Sequence, residues 1–269
     1  MIMAAIKHEK DSNVPPTKIY PDKFSGQVVI VTGAGSGIGE TTARLFAQQG
    51  AQVVLFDIDE QKARNVENSI QQATGKASFE PCNISDEQSV SEALKATIAK
   101  HQKIDVLVNI AGIYPFHALK DYPTYVYRQI MSVNLDGSFF LTRAVLPYMQ
   151  EAGYGRIIHT SSSTFSDPQF GLVPYIASKA GVIGLARASA AEAGPGVTVN
   201  VVLPGLTETA GVASSSESKA LFDEIMAKQF VKRRGHPLDL AHTFCFIASP
   251  EASFITGQMF DVAGGETCH

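Results

Sequence analysis

The sequence predicts an α/β fold: a single domain built as a doubly wound parallel sheet with helices on both faces. Three observations predict it. From Phe24 onward, short β-branched runs alternate with longer amphipathic stretches, as repeated strand–helix–strand units require. A glycine-rich turn, Gly33 to Gly39, joins the first such run to the first amphipathic stretch. No shift in composition separates the two halves of the chain, so one domain covers residues 24–269.

The elements follow in order. Val28–Thr32 is a strand and Ile38–Gln49 a helix. Ala51–Phe56 is the second strand, and Glu60–Ala73 the second helix. Ala77–Glu80 reads as a short strand. Ser85–His101 is a helix with Ser85 as N-cap and Gln88 three residues on, the pattern of a capping box. Ile104–Asn109 is a buried strand. Thr124–Gln150 is long enough for one full helix, followed by strand Gly155–Ser161, helix Tyr175–Ala193 and strand Val197–Leu203. Gly205–Pro237 is irregular and follows a strand, where the ligand loops of doubly wound sheets lie.

Composition narrows the function. The 269 residues carry a net charge of −4. The longest basic run is Lys232-Arg233-Arg234, which is no basic face, so nucleic acid is not expected as a partner. No apolar run reaches the length of a membrane span, and no membrane partner is expected. Three widely spaced cysteines, Cys82, Cys245 and Cys268, suggest neither a disulfide framework nor a metal site. Residues 1–23 hold charges and prolines where a signal peptide needs an apolar core, so they read as a flexible extension. The expected location is the cytoplasm.

The glycine-rich turn carries chemistry. Glycines permit a tight turn and close backbone approach to a pyrophosphate, and the helix that follows presents free N–H groups. Strand, glycines and helix in this order are the context a dinucleotide requires, which makes the fold Rossmann-type. The second strand ends at Asp57, whose carboxylate can accept hydrogen bonds from both hydroxyls of an adenosine ribose and would repel a 2′-phosphate. Ser36 is neutral where a 2′-phosphate would call for a basic side chain. Both positions favour NAD over NADP.

A second constellation lies downstream. Tyr175 and Lys179 are four residues apart in a helical stretch and share a face. An ammonium close to a phenol favours the phenolate, so the pair can serve as an acid–base couple near neutrality.

With Asn-Ile-Ala-Gly at 109–112, Asn134, the serines at 161–163 and Pro-Gly-Leu-Thr-Glu-Thr at 204–209, these motifs resemble the short-chain dehydrogenase/reductase family from Phe24 to Gly265. The resemblance implies an oxidoreductase that moves a hydride between NAD(H) and a secondary alcohol or ketone. Tyr175 would be its acid–base residue. Lys179 would lower the Tyr175 pKa and hold the nicotinamide ribose. Ser162, thirteen residues before Tyr175, would bind the substrate oxygen, a choice over Ser161 and Ser163 that rests on spacing. Asn134 would hold a relay water, or else kink its helix. The cofactor would be held by Gly33, Ser36, Gly37, Ile38, Gly39, Asp57, Ile58, Asn83, Ile84, Asn109, Ala111, Gly112, Pro204, Gly205, Thr207 and Thr209, together with Tyr175 and Lys179. Two positions depart from the family pattern: Ile110 stands where a second Asn is common, and Asn83 where Asp usually faces the adenine.

Gly112-Ile113-Tyr114-Pro115, Thr164-Phe165, Pro204-Gly205-Leu206 and Ile255-Thr256-Gly257-Gln258 are similar to the 1-phenylethanol and pyridoxal 4-dehydrogenase group, which implies an apolar or ring-bearing substrate. Tyr114, Phe116, Phe165, Phe170, Phe222, Met226 and Phe230 are candidates to line its pocket beside Ser162, although each reads equally well as a core or loop anchor. Residues 206–235 would form a lid. Ala177, Gly181, Gly184 and Ala188 form a small-residue stripe, and the family implies a homotetramer, with a homodimer as the alternative. An NADPH-dependent biosynthetic ketoreductase and a non-catalytic NAD-sensing protein are the competing functions.

Overall fold

The computed structural model describes residues 18–209 and 216–268. Seven parallel strands form one sheet in the order β3-β2-β1-β4-β5-β6-β7. They are β1 (Val28–Thr32), β2 (Gln52–Asp57), β3 (Lys76–Pro81), β4 (Val106–Asn109), β5 (Gly155–Thr160), β6 (Val197–Pro204) and β7 (Met259–Val262). Every residue of β1, β4 and β5 is buried. This is why β1 reads as an unbroken β-branched run: helices cover both faces, and neither face needs polar side chains there.

Each face has its own apolar core. On one, α1 (Gly37–Gln48), α2 (Glu60–Gln72) and α8 (Pro237–Ala248) cover the sheet through residues such as Phe46, Ile70 and Phe244. On the other, α3 (Glu87–His101), α5 (Gly137–Ala152) and α6 (Val173–Glu192) contribute Leu94, Met149 and Ile183. The order reverses between β1 and β4, which lie side by side although β2 and β3 separate them in sequence. At such a switch point the loops leave in opposite directions and open a crevice at the carboxyl ends of the strands.

Four expectations need correction. The α3 N-cap is Asp86, whose side chain accepts from the Gln88 N–H, and not Ser85. Ser85 is already engaged, because Asn83 Oδ1 accepts from both its N–H and its hydroxyl. The long helix is interrupted: α4 (Thr124–Met131) passes through a wide π-helical turn, Ser132–Asp136, into α5. The segment read as irregular contains α7 (Ser216–Lys228). Finally, residues 18–23 are not a free extension: Ile19 packs on the core, and the Pro21 carbonyl lies so close to Gly50 that a Cβ there would meet it at 2.4 Å. The rest of the expected extension, residues 1–17, lies outside the described residues, as do 210–215 of the expected lid. No helix among the described residues is long and apolar enough to cross a membrane.

Candidate active site

A cavity of about 1370 Å³ opens at the carboxyl ends of the strands. Its floor begins at the glycine turn. A Cβ on Gly39 would sit 2.0 Å from the Gly33 carbonyl oxygen, and one on Gly33 would sit 3.0 Å from Ala111 Cα. Backbone therefore packs against backbone, and only glycine fits. Ser36, the N-cap of α1, makes no side-chain cap, so the first-turn N–H groups are left for a ligand. Gly35 donates its N–H to Asp57 Oδ2 at 2.7 Å, and Asp59 donates to Oδ1 at 2.9 Å. Asp57 thus ties the loop to the end of β2 while lining the cavity. Lys62, a basic side chain close by, is paired with Asp59 at 2.9 Å.

Of the residues expected to hold a cofactor, Gly33, Ser36, Gly37, Ile38, Gly39, Asp57, Ile58, Asn83, Ile84, Ala111, Gly112, Tyr175, Lys179, Pro204, Gly205, Thr207 and Thr209 line this one cavity. Asn109 lies beneath it. Its Oδ1 accepts from the Thr32 hydroxyl at 2.7 Å, and its Nδ2 donates to Ser138 Oγ at 2.9 Å and to His159 Nδ1 at 3.2 Å. His159 is buried, and its pKa is pushed down to about 4 by desolvation, with the Lys179 ammonium adding to the effect. The imidazole is therefore neutral, and Nε2 is left to donate to Thr142 Oγ1, 2.9 Å away, which itself donates to the Ser138 carbonyl. The Thr32 hydroxyl also accepts from the N–H groups of Ile110 and Ala111. This network joins β1, β4, β5 and α5 under the glycine loop and fixes where that loop leaves the sheet.

The central residues converge. Tyr175 and Lys179 rise from the first turns of α6, with Lys179 Nζ 5.8 Å from the centre of the Tyr175 ring. Lys179 donates to the Thr160 carbonyl at 2.8 Å, and burial lowers its pKa to about 8, so it carries its charge at neutral pH. The expected net lowering of the Tyr175 pKa is not found. Burial pushes the phenol up, the Tyr114 side chain adds to this, and only the hydrogen bond with Ser162 opposes them. That bond also separates the three serines. Ser161 donates its hydroxyl to the Lys179 carbonyl at 2.9 Å, whereas the Ser162 hydroxyl faces the phenol and accepts from Thr164 N–H and Oγ1.

Asn134 lies in the π-helical turn. Its Oδ1 accepts from Ile113 N–H at 2.9 Å, and its Nδ2 donates to the Ile113 carbonyl at 3.0 Å and to Ser178 Oγ at 3.0 Å. The side chain is spent on clamping the β4 loop to α6, which matches the helix-kink reading and leaves its amide no donor for a water. Gly112 covers this junction: a Cβ there would sit 3.1 Å from Asn134 Oδ1 and 3.3 Å from Lys179 Nζ.

Beyond Tyr175 the cavity turns apolar. Phe116, Tyr114 and Tyr175 form an edge-to-face series with ring centres 6.5 and 6.0 Å apart. Phe170, Leu172, Leu206, Leu221 and Ile225 also line the cavity, as do the polar side chains of Arg128, Gln129, Gln169 and Glu266. Four expected pocket residues do not line it. Phe222, on α7, is buried, with the Arg234 guanidinium 4.5 Å from its ring centre. Phe230 packs on Gly265, and Phe165 and Met226 lie outside the cavity wall. Leu221, Ile225 and Glu266 are among the lining residues that sequence reasoning missed.

Comparison with known proteins gives a consistent family. Residues 33–267 match the family model described as enoyl-(acyl carrier protein) reductase. The chain is 36% identical to the (2S)-[(R)-hydroxy(phenyl)methyl]succinyl-CoA dehydrogenase subunit BbsD of Thauera aromatica, over 91% of this chain and 98% of that one. It is 32% identical to cyclohexanol dehydrogenase of an Acinetobacter species, over 93% and 98%. Among solved structures, an actinorhodin polyketide ketoreductase variant with NADPH superposes with a TM-score of 0.86 at 30% identity, covering 90% of this chain and 98% of that one.

Proposed function

The chain belongs to the short-chain dehydrogenase/reductase family, and on that premise we propose that it is an NAD-dependent oxidoreductase interconverting a ring-bearing secondary alcohol and its ketone. The observation that carries the reading is the placement of Ser162, Tyr175 and Lys179 at the junction between a glycine-floored cleft and an apolar chamber. The cleft fits a dinucleotide, since glycines form its floor and the helix N-terminus is uncapped. Asp57, at the end of β2, lines the cleft, and a carboxylate there supports NAD over NADP. When bound, the nicotinamide supplies the hydride donor or acceptor.

This chain's residues do the rest. In reduction, Tyr175 enters as the phenol that burial favours and gives its proton to the carbonyl oxygen, while the Ser162 hydroxyl donates to the same oxygen. In oxidation, Tyr175 takes the alcohol proton as phenolate, and the charged Lys179 below it stabilises that anion. The aromatic series orients the ring of the substrate and excludes water. Two named relatives act on alcohols attached to or within rings, which supports the substrate class.

The test is reduced-nicotinamide formation with NAD and NADP across aryl, cyclic and aliphatic secondary alcohols. Turnover with NAD on ring-bearing alcohols is expected. Tyr175→Phe should lower kcat by about 10³-fold or more while cofactor affinity holds. Activity confined to NADP would favour the second reading, an NADPH-dependent ketoreductase, which rests on the neighbour solved with NADPH. A homotetramer is the proposed assembly. Exposed Tyr125, Tyr127 and Phe139 on α4 and α5, and exposed Ala177, Gly184 and Ala188 on α6, support it, and light scattering tests it.

A further inference from the structure

Glu266 is a carboxylate that the acid–base chemistry does not use. It follows two glycines in left-handed conformation, Gly264 and Gly265, which turn the chain back after β7. The segment just after α7 holds this turn, with Phe230 and Val231 both donating their N–H to the Gly264 carbonyl. The turn places Glu266 in the cavity wall against the loop after β6, where a Cβ on Gly205 would meet Glu266 Oε2 at 3.3 Å. Oε2 is shielded from solvent and has no hydrogen-bond partner.

Its surroundings are mostly acidic. Lys228, the cation near it, is shared between Asp167 at 3.0 Å and Glu224 at 3.6 Å. Asp261 on β7 adds another carboxylate. Burial first, then Asp167, raise the Glu266 pKa to about 7, with Lys228 opposing and Asp261 adding. A carboxyl under this strain gains from any ligand that brings it a hydrogen-bond donor or a positive charge, and it loses from one that brings another anion.

We propose that Glu266 is a specificity-determining residue of the substrate chamber, selecting ring alcohols that carry a second hydrogen-bond donor or a cationic group and rejecting ring carboxylates. This deepens the alcohol dehydrogenase reading and rests on it for the identity of the ligand. Arg128 on α4 also lines the cavity, and a carboxylate substrate would be the ligand of that side chain instead.

Binding in dead-end complexes keeps the two readings apart. The enzyme is saturated with whichever reduced nicotinamide cofactor it binds. Calorimetry then gives Kd for cyclohexanol, 1,4-cyclohexanediol, 4-aminocyclohexanol and 4-hydroxycyclohexanecarboxylate. The amino alcohol is expected to bind roughly tenfold or more tighter than the carboxylate, a hydrogen bond to a charged group being the difference. Glu266→Gln, which keeps the shape, should bring that ratio to about threefold or less. Glu266→Leu, with a thermal melt to confirm folding, should do the same. Discrimination that survives both variants overturns the proposal. So does its absence in the wild type, whether all four probes bind alike or none binds. Carboxylate binding that is tight and lost in Arg128→Gln also overturns it. Discrimination that vanishes with Glu266, from an enzyme that turns over no alcohol, would keep the inference and sink the dehydrogenase reading.

Discussion

The two ends of the cavity are built by different means. The end at β1 and β2 is made of backbone: glycines pressed against carbonyls, an uncapped helix N-terminus and one carboxylate held by two N–H groups. The end beyond Tyr175 is made of side chains from separate places: α4, the loops after β4, β5 and β6, α7, and the turn after β7. A backbone site has few sequence solutions, so it reads as a motif and binds one kind of ligand. A side-chain site has many, and it is where relatives with one fold can diverge in substrate.

The largest effect should come from breaking the backbone end. Gly39→Ala places a methyl group 2.0 Å from the Gly33 carbonyl, a clash that nothing flexible can relieve. Cofactor affinity should fall by about 100-fold or more, roughly 3 kcal/mol, with circular dichroism showing the fold retained. An alanine variant that binds cofactor normally would show that the floor is softer than its contacts indicate. Asp57→Asn comes next. One amide oxygen still accepts from the loop, while the charge is lost. The NAD over NADP preference in kcat/KM should shrink by about tenfold. An unchanged preference would mean that Asp57 serves the loop alone and that selectivity lies elsewhere.

The same contrast explains what the sequence revealed. The glycine turn, Asp57 and the Tyr175–Lys179 pair were legible because each is set by spacing along one element. The N-cap of α3 was misplaced by one residue because Ser85 and Asp86 are both good caps, and the choice turns on Asn83 having claimed Ser85. The role of Asn134 was left open for a similar reason: its residue type was readable, but its three partners come from the loop after β4 and from α6. On α7 the error was one of rotation. Leu221 and Ile225 form one stripe, and Phe222 and Met226 form the next, about 100° around the helix. Sequence favoured the stripe with the larger residues. The fold turns Phe222 inward under Arg234 and gives the cavity Leu221 and Ile225. Glu266 was invisible because a carboxylate near a chain end carries no periodicity, and only the turn at Gly264 and Gly265 brings it to the site.

The smallest effect should come from single side chains at the apolar end, and it separates two aromatics that look alike in sequence. Phe170 is 85% exposed, yet it lines the cavity rim. Phe230 is 77% exposed and leans on Gly265. Phe170→Ala removes apolar contact with a ring substrate but touches no reacting atom, so KM should rise about fivefold with kcat unchanged. Phe230→Ala should leave KM for the same alcohols within about twofold, since its ring meets the protein and not the substrate. Steady-state kinetics on a ring alcohol and a short aliphatic alcohol decide the matter: the Phe170 effect should be confined to the ring. Equal effects from both variants would mean that the wall at this end is a mobile surface that substrate itself organises, and the contrast between a backbone-built and a side-chain-built end would then extend to rigidity as well as to composition.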